Sequence, residues 1–410
     1  MNYYTRLIFW GIGMLLIACT GKKATQTTKT ASITTSREVM KAPPLEVFRG
    51  GGEKEAKALA NPFVGISDDG KIEKGLFPIQ ASGVSTEPVR VAADRFLESL
   101  SKAEKSKTLY DIQDDEWRKW NNIHLYQRQG ISFLEMSEHQ AEYAWDLLEA
   151  GLSAKGIERS KKIMSLEGHI AWAKANYKEF GSRRYYITIM GNPSASDPWG
   201  WQLEGHHLIV NYFVLGDQVV MTPTFMGTEP VNATEGPYAG TSSFQEEESK
   251  GLAMIRALSP DLQVKAILSS EKSSNNNQTE NFRDNAVVPY QGVSVADFSP
   301  KQQEQLLDLI HEYVGNMDEG HAKVKMEEVK AHLAATYFAW IGPISDEATF
   351  YYRIHSPVLL IEFDHQFPVA FRKSMPQEAT REHIHTVIRT PNGNDYGKDL
   401  LRQHLESHDH

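Results

Sequence analysis

The sequence predicts an α+β fold: a single large domain in which a mostly antiparallel sheet packs with several helices. Three observations carry this. Apolar residues recur at helical spacing between 89 and 180. They switch to period two between 183 and 230, and again between 350 and 389. The order helices, strands, helices, strands shows no regular βαβ alternation. The chain has 410 residues, 40% apolar and 23% charged, which excludes a collagen, a wholly disordered chain and a multi-span membrane protein. Such a length buries a core without disulfide staples.

The elements follow in order. Met1 to Arg6 is a short n-region, and Leu7 to Ala18 is an apolar run shorter than the roughly 20 residues a spanning helix needs. Residues 1–18 therefore read as a signal peptide. Leu16-Ile17-Ala18-Cys19 resembles the lipobox of bacterial lipoproteins. The resemblance implies cleavage before Cys19 and acylation of Cys19 by palmitate-type chains. The protein would then be lipid-anchored to a membrane of the cell envelope, on its periplasmic or cell-surface face. Cys19 is the only cysteine, so the body has no disulfide, thiolate metal site or cysteine nucleophile. Residues 19–44 read as a disordered tether, rich in Thr, Lys and Ser and closed by Pro43-Pro44. Residues 1–44 carry six basic side chains and one acidic one, so the rest of the chain holds −15 of a total of −10. An acidic body argues against nucleic acid as a partner.

Residues 45–88 read as extended pieces and loops. Arg49 to Lys54 is a turn, because the phosphate-loop spacing is absent. The domain proper is expected over 89–410. Val89–Ser101 is helical, entered through Pro88. Ser137 caps a helix that Gly151 ends. Ile157–Phe180 is one or two more helices, with Trp145 and Trp172 in the core. Tyr185–Met190, His206–Leu215 and Gln218–Thr222 are strands, the last two joined at Gly216-Asp217. Glu246–Leu258 is helical, Ser259-Pro260 restarts a helix, and Ser269–Asn285 is an exposed loop. Helices follow from Pro300 and over Met326–Ile341. Phe350–His355 and Val358–Asp364 form a hairpin about Ser356-Pro357, His383–Arg389 is a strand, and Leu400–His410 a terminal helix.

Several blocks carry a family resemblance. Trp199-Gly200-Trp201-Gln202-Leu203-Glu204-Gly205-His206-His207-Leu208 is similar to the central motif of the DUF3500 family. Thr222 to Pro230, Tyr352 to Pro357, Glu362-Phe363-Asp364, His383 to Val387 and Pro391 to Gly397 fit its later segments, in order. The resemblance runs from about residue 90 to His404 and implies one continuous domain. It implies no catalytic residue, since the family is uncharacterised.

The chemistry rests on histidines. His383 and His385 are one residue apart in a β pattern, so both imidazoles leave one face of a strand. In the expected hairpin His355 pairs with Val358, Arg353 with Leu360 and Tyr351 with Glu362. Tyr351, Arg353, His355 and Glu362 then share a face. His206 and His207 begin a strand and should point to opposite faces. The reading is a His/Glu/Arg pocket. His206, His383, His385 and Glu362 are candidate ligands for a divalent transition metal, while His206, His207, Arg353 and His355 are candidate acid/base and anion-holding groups. An HExxH helix, a Gly-x-Ser-x-Gly elbow and a dinucleotide fingerprint are all missing. Trp199, Trp201, Tyr212 and Tyr396 are a candidate aromatic platform. The functional expectation is a metal-assisted enzyme acting on a small or polymeric extracytoplasmic substrate. The alternatives are a non-catalytic ligand-binding lipoprotein and a structural protein with a polar core. Convergence of the imidazole nitrogens separates these readings.

Overall fold

The structure, a computed structural model, describes residues 52–375 and 377–407. They belong to one compact unit, Ala42–His410. The signal peptide, Cys19, the tether, His408 and His410 lie outside the described residues. Among the described residues no helix is long and apolar enough to cross a membrane.

Among the described residues thirteen strands form one sheet. They are β1 (Leu109–Tyr110), β2 (Ile131–Ser132), β3 (Tyr186–Met190), β4 (Trp199–Gly205), β5 (Leu208–Leu215), β6 (Gln218–Val220), β7 (Thr224–Thr228), β8 (Ile267–Ser269), β9 (Val293–Ser294), β10 (Tyr337–Ile341), β11 (Tyr351–His355), β12 (Leu360–His365) and β13 (Ile384–Arg389). The central order is β1-β3-β4-β5-β7-β13-β12-β11-β10-β8. All central pairings are antiparallel except β1 with β3 and β10 with β8. The fold is thus α+β with a mostly antiparallel sheet. Two meanders, one from each half of the chain, meet where β7 pairs with β13.

The pleat sorts the side chains into two unlike faces. One face carries Leu203, Val210, Met226, Ile361, Phe363, Tyr352, Ile354, Phe338 and Trp340. Helices Glu138–Gly151, Gln245–Ala257 and Pro300–Val314 pack on it. Gly151 lies against Trp201 and Tyr212, Gly251 lies against Tyr352, and Tyr313 hydrogen-bonds Tyr352. The other face carries Glu204, His385, Arg389, Glu362, Asp364, Tyr351, Arg353 and His355, all buried. Loop backbones supply many of the partners these groups need. Arg389 shows the pattern. It donates to Asp284 at 2.9 Å, Asp395 at 3.2 Å and the carbonyls of Thr279 and Asn281, while its guanidinium lies 5.2 Å from the Trp120 ring centroid.

Local signals hold where the chain decides alone. Ser137 and Ser299 make capping boxes with Gln140 and Gln302, and Gly216-Asp217 turns β5 into β6. Several expectations need correction. The 45–88 stretch includes a helix, Glu53–Leu59. The helix expected over Met326–Ile341 ends at Ala331, and Tyr337–Ile341 is strand β10. Its aromatic run is ambiguous in isolation and is settled by pairing with β11. The Ser269–Asn285 loop is not simply exposed, for Asn277, Thr279 and Asp284 are buried. Trp145 and Trp172 are half-buried, whereas Trp117, Trp120, Trp199, Trp201 and Trp340 are fully buried. That burial removes Trp199, Trp201, Tyr212 and Tyr396 as a ligand platform. The β11–β12 turn is two residues longer than expected: His355 pairs with Leu360 and Arg353 with Glu362. A slip of two keeps each residue on its face.

Candidate metal centre

The site forms at the β7–β13 seam. His385 sits opposite Gly227, and His383 precedes the same strand on the same face. Gly227 is there for space: a Cβ on it would lie 2.6 Å from the Ile384 carbonyl and 3.1 Å from His385 Cδ2. His206 and His207 do not begin a strand. They are the two-residue turn between β4 and β5, since Gly205 pairs with Leu208. His207 takes φ +60°, a left-handed conformation that a non-glycine residue adopts at some cost and that recurs at functional sites. The expected divergence of the pair gives way to stacking, with ring centroids 3.8 Å apart. His207 then sets its ring edge-on to His383 and His385, at 5.4 and 5.2 Å between centroids. One nitrogen from each of His207, His383 and His385 lies within 4.8 Å of the others, in a buried group that could hold a metal ion. Glu167, His206 and His207 form a second such group, sharing His207.

Hydrogen bonds fix the tautomers. His383 Nδ1 lies 2.6 Å from the Phe367 carbonyl, which only accepts, so Nδ1 carries the proton. Glu229, which accepts from the backbone N–H groups of Val369, Ala370 and Phe371, stands 3.6 Å behind the same nitrogen. His385 Nδ1 lies 2.8 Å from Glu280 Oε1. Burial pushes the Glu280 carboxyl up, but His385, Asn277 and Arg283 outweigh it and leave its pKa lowered. Glu280 is therefore ionised, and His385 Nδ1–H donates to it. His383 Nε2 is left with a lone pair, and it faces His385 Nε2 at 3.0 Å. Two ligand nitrogens on a tetrahedral ion with bonds of about 2.1 Å would be about 3.4 Å apart. A proton can fill the gap only by making one ring an imidazolium. Burial, and then the neighbouring His385, hold His383 well below the ordinary 6.5. Burial and four surrounding histidines, His206 first, do the same to His207. His383 and His207 are therefore neutral, as ligands must be.

Beside this group, His206 Nδ1 meets Glu167 Oε2 at 2.7 Å, which leaves its Nε2 open. His124 follows at 5.4 Å from His206 and is held neutral, its pKa lowered to about 4 by burial and by His206.

Of the expected site residues, the fold brings together His206, His207, His383 and His385. It does not bring Glu362. That carboxylate accepts from the N–H of Gln278 and Thr279 at 2.8 and 2.9 Å, from Thr279 Oγ1 at 2.5 Å and from Tyr351 OH at 2.7 Å. Glu280 stands where Glu362 was expected. Arg353 and His355 lie two strands from His385, at backbone separations of about 12 and 16 Å from the sheet spacings. Sequence reasoning missed Glu280, Glu229, Glu167 and the Phe367 carbonyl. No spacing links them to the histidines, and the only hint was the density of polar residues around Asn275–Glu280.

A cavity of about 480 Å³ lies elsewhere, walled by Phe77, Met221, Met317, Leu359, Ile388 and Leu400. Its polar side chains are already paired: His321 with Asp318, Lys325 with Glu328, Thr222 with Thr390.

No curated protein and no solved structure matches this chain. Residues 82–398 match the model of the DUF3500 family, described as a protein of unknown function, and that match covers most of the chain: it belongs to this family.

Proposed function

We propose that His207, His383 and His385 hold one divalent transition-metal ion. The protein would be a lipid-anchored cell-envelope enzyme that uses the ion on an extracytoplasmic substrate. One observation carries the metal: two imidazoles whose Nδ1 atoms are taken up by the Phe367 carbonyl and Glu280 set their Nε2 atoms 3.0 Å apart. Imidazole donors suit zinc, copper, iron, cobalt or nickel. Three protein ligands leave a position for water or substrate, and the ion would supply Lewis acidity or an activated water. The chain's own groups do the rest. Glu280 and Phe367 O hold the ligand rings in orientation. His206, oriented by Glu167, presents a proton acceptor beside the ion. The anchor rests on the lipobox at Cys19.

The test uses untagged protein, stripped with chelator and titrated with Co²⁺ and Zn²⁺. The expected result is uptake of about one ion, with Co²⁺ d–d bands of a nitrogen-rich site. His383→Ala and His385→Ala should each abolish stoichiometric uptake while circular dichroism shows a folded chain. A folded wild type that takes up neither ion sinks the proposal. Cys19→Ser should release the protein from membranes. A second reading, non-catalytic binding of an apolar small molecule, is favoured by the 480 Å³ cavity and predicts ligand retention that is indifferent to these histidines.

A further inference from the structure

Arg353 sits in the middle of β11, 1% exposed. Its Nη2 donates to the Pro289 carbonyl at 3.2 Å and to Gln291 Oε1 at 2.9 Å. Its Nε and Nη1 are buried and have no hydrogen-bond partner. Two residues along the same strand face is His355, also 1% exposed, and its Nδ1 has no partner either. The His355 ring packs on Tyr290 at 4.5 Å between centroids, and Tyr290 stacks on Tyr337. Register places Glu362 directly across from Arg353, yet the two form no ion pair, because the carboxylate is turned to Gln278, Thr279 and Tyr351.

A guanidinium cannot shed its proton, so burial leaves a permanent charge with two open N–H edges. Native structures seldom leave such donors empty. Burial and the neighbouring Arg353 lower His355 to a pKa of about 3, so the ring is neutral and adds no charge. A neutral ring can carry its proton on Nδ1 and donate. The local demand is then for one acceptor with one negative charge. Pro289 and Gln291 are exposed, so this spot lies one layer beneath the surface at a loop edge through which a small ion can exchange.

We propose that Arg353 and His355 form a buried binding site for a single halide-sized monoanion, independent of the histidine seam. The ion accepts from Arg353 Nε–H and Nη1–H and from His355 Nδ1–H, with the Tyr290–Tyr337 stack as its lid.

The experiment compares thermal unfolding of the full chain in sodium chloride, bromide, sulfate and gluconate at matched ionic strength. Crystals grown in bromide are examined for anomalous scattering. The expected result is a Tm several degrees higher in halide than in gluconate or sulfate, and a bromide peak within hydrogen-bond distance of Arg353 Nη1. Arg353→Met should erase the halide dependence. If that variant does not fold, His355→Phe keeps the guanidinium and removes one donor, and its halide midpoint should rise at least several-fold. Equal Tm in halide and gluconate, a water at the position with no bromide signal, or an unchanged midpoint in His355→Phe overturns the proposal. The metal content of every variant should stay at the wild-type level, which separates this outcome from the fate of the metal reading.

Discussion

Two polar regions share one face of the sheet, and they are finished in opposite ways. At the β11–β12 hairpin the carboxylate of Glu362 receives four hydrogen bonds and has nothing left to offer. At the β7–β13 seam the outer nitrogens of His383 and His385 are just as firmly held, but the inner ones have only each other, at 3.0 Å. Both regions are buried and both are rich in the residue types that ligate metals. The difference lies in which atoms the neighbours consume. A carboxylate wrapped by backbone N–H groups is a structural post. An imidazole gripped at one nitrogen is an oriented ligand.

That contrast can be broken experimentally, the largest effect coming first. Glu362→Ala leaves the donors of Gln278, Thr279 and Tyr351 unpaired in the interior, and should cost about 3–5 kcal/mol in chemical denaturation. Metal uptake by the folded fraction should be normal, and its loss would merge the two regions into one site. Gly227→Ala presses a methyl group on the Ile384 carbonyl and His385. It should cost about 1–3 kcal/mol and also weaken metal binding, as read in the same two assays. Glu280→Gln keeps the shape but removes the charge that orients His385. A fall of about 10–100-fold in metal affinity is expected by competition titration, with little change in unfolding. An undiminished affinity would deny Glu280 its orienting role.

The smallest effect is in pH. His207 and His383 have folded pKa values depressed below 6.5, so as pH falls through about 6.5 the unfolded chain takes up protons that the folded chain refuses. Metal-free protein should lose stability on that account between pH 7 and 5. Asp364 and Asp395, raised to about 7 and 6 by burial, run the other way and gain stability as pH falls. The quantity to read is therefore the difference between wild type and His383→Asn, whose unfolding should depend less on acid in that window. An identical slope would mean that His383 titrates freely.

Legibility in the sequence follows the range of the interactions. The helix starting at Ser137, the Gly216-Asp217 turn and the same-face spacing of His383 and His385 depend on residues a few positions apart, and each is present. The hairpin face with Tyr351, Arg353 and His355 was legible despite a wrong register, because a slip of two preserves parity. The pairing of His207 with a strand some 180 residues later was not legible. Nor was the place of Glu280, in a loop whose composition suggested only exposure. Strand β10 was lost for the same reason, since its neighbours β8, β9 and β11 come from separate parts of the chain.

The sequence by itself determined the α+β class, the helix caps, the alternation of strand faces and the supply of imidazoles, because these follow from local backbone preference and periodicity. Only the tertiary structure decided which nitrogens stay free. That outcome depends on where the Phe367 carbonyl and the carboxylates of Glu280 and Glu362 come to rest, and hydrogen bonds between distant segments are chosen when the sheet closes its seam.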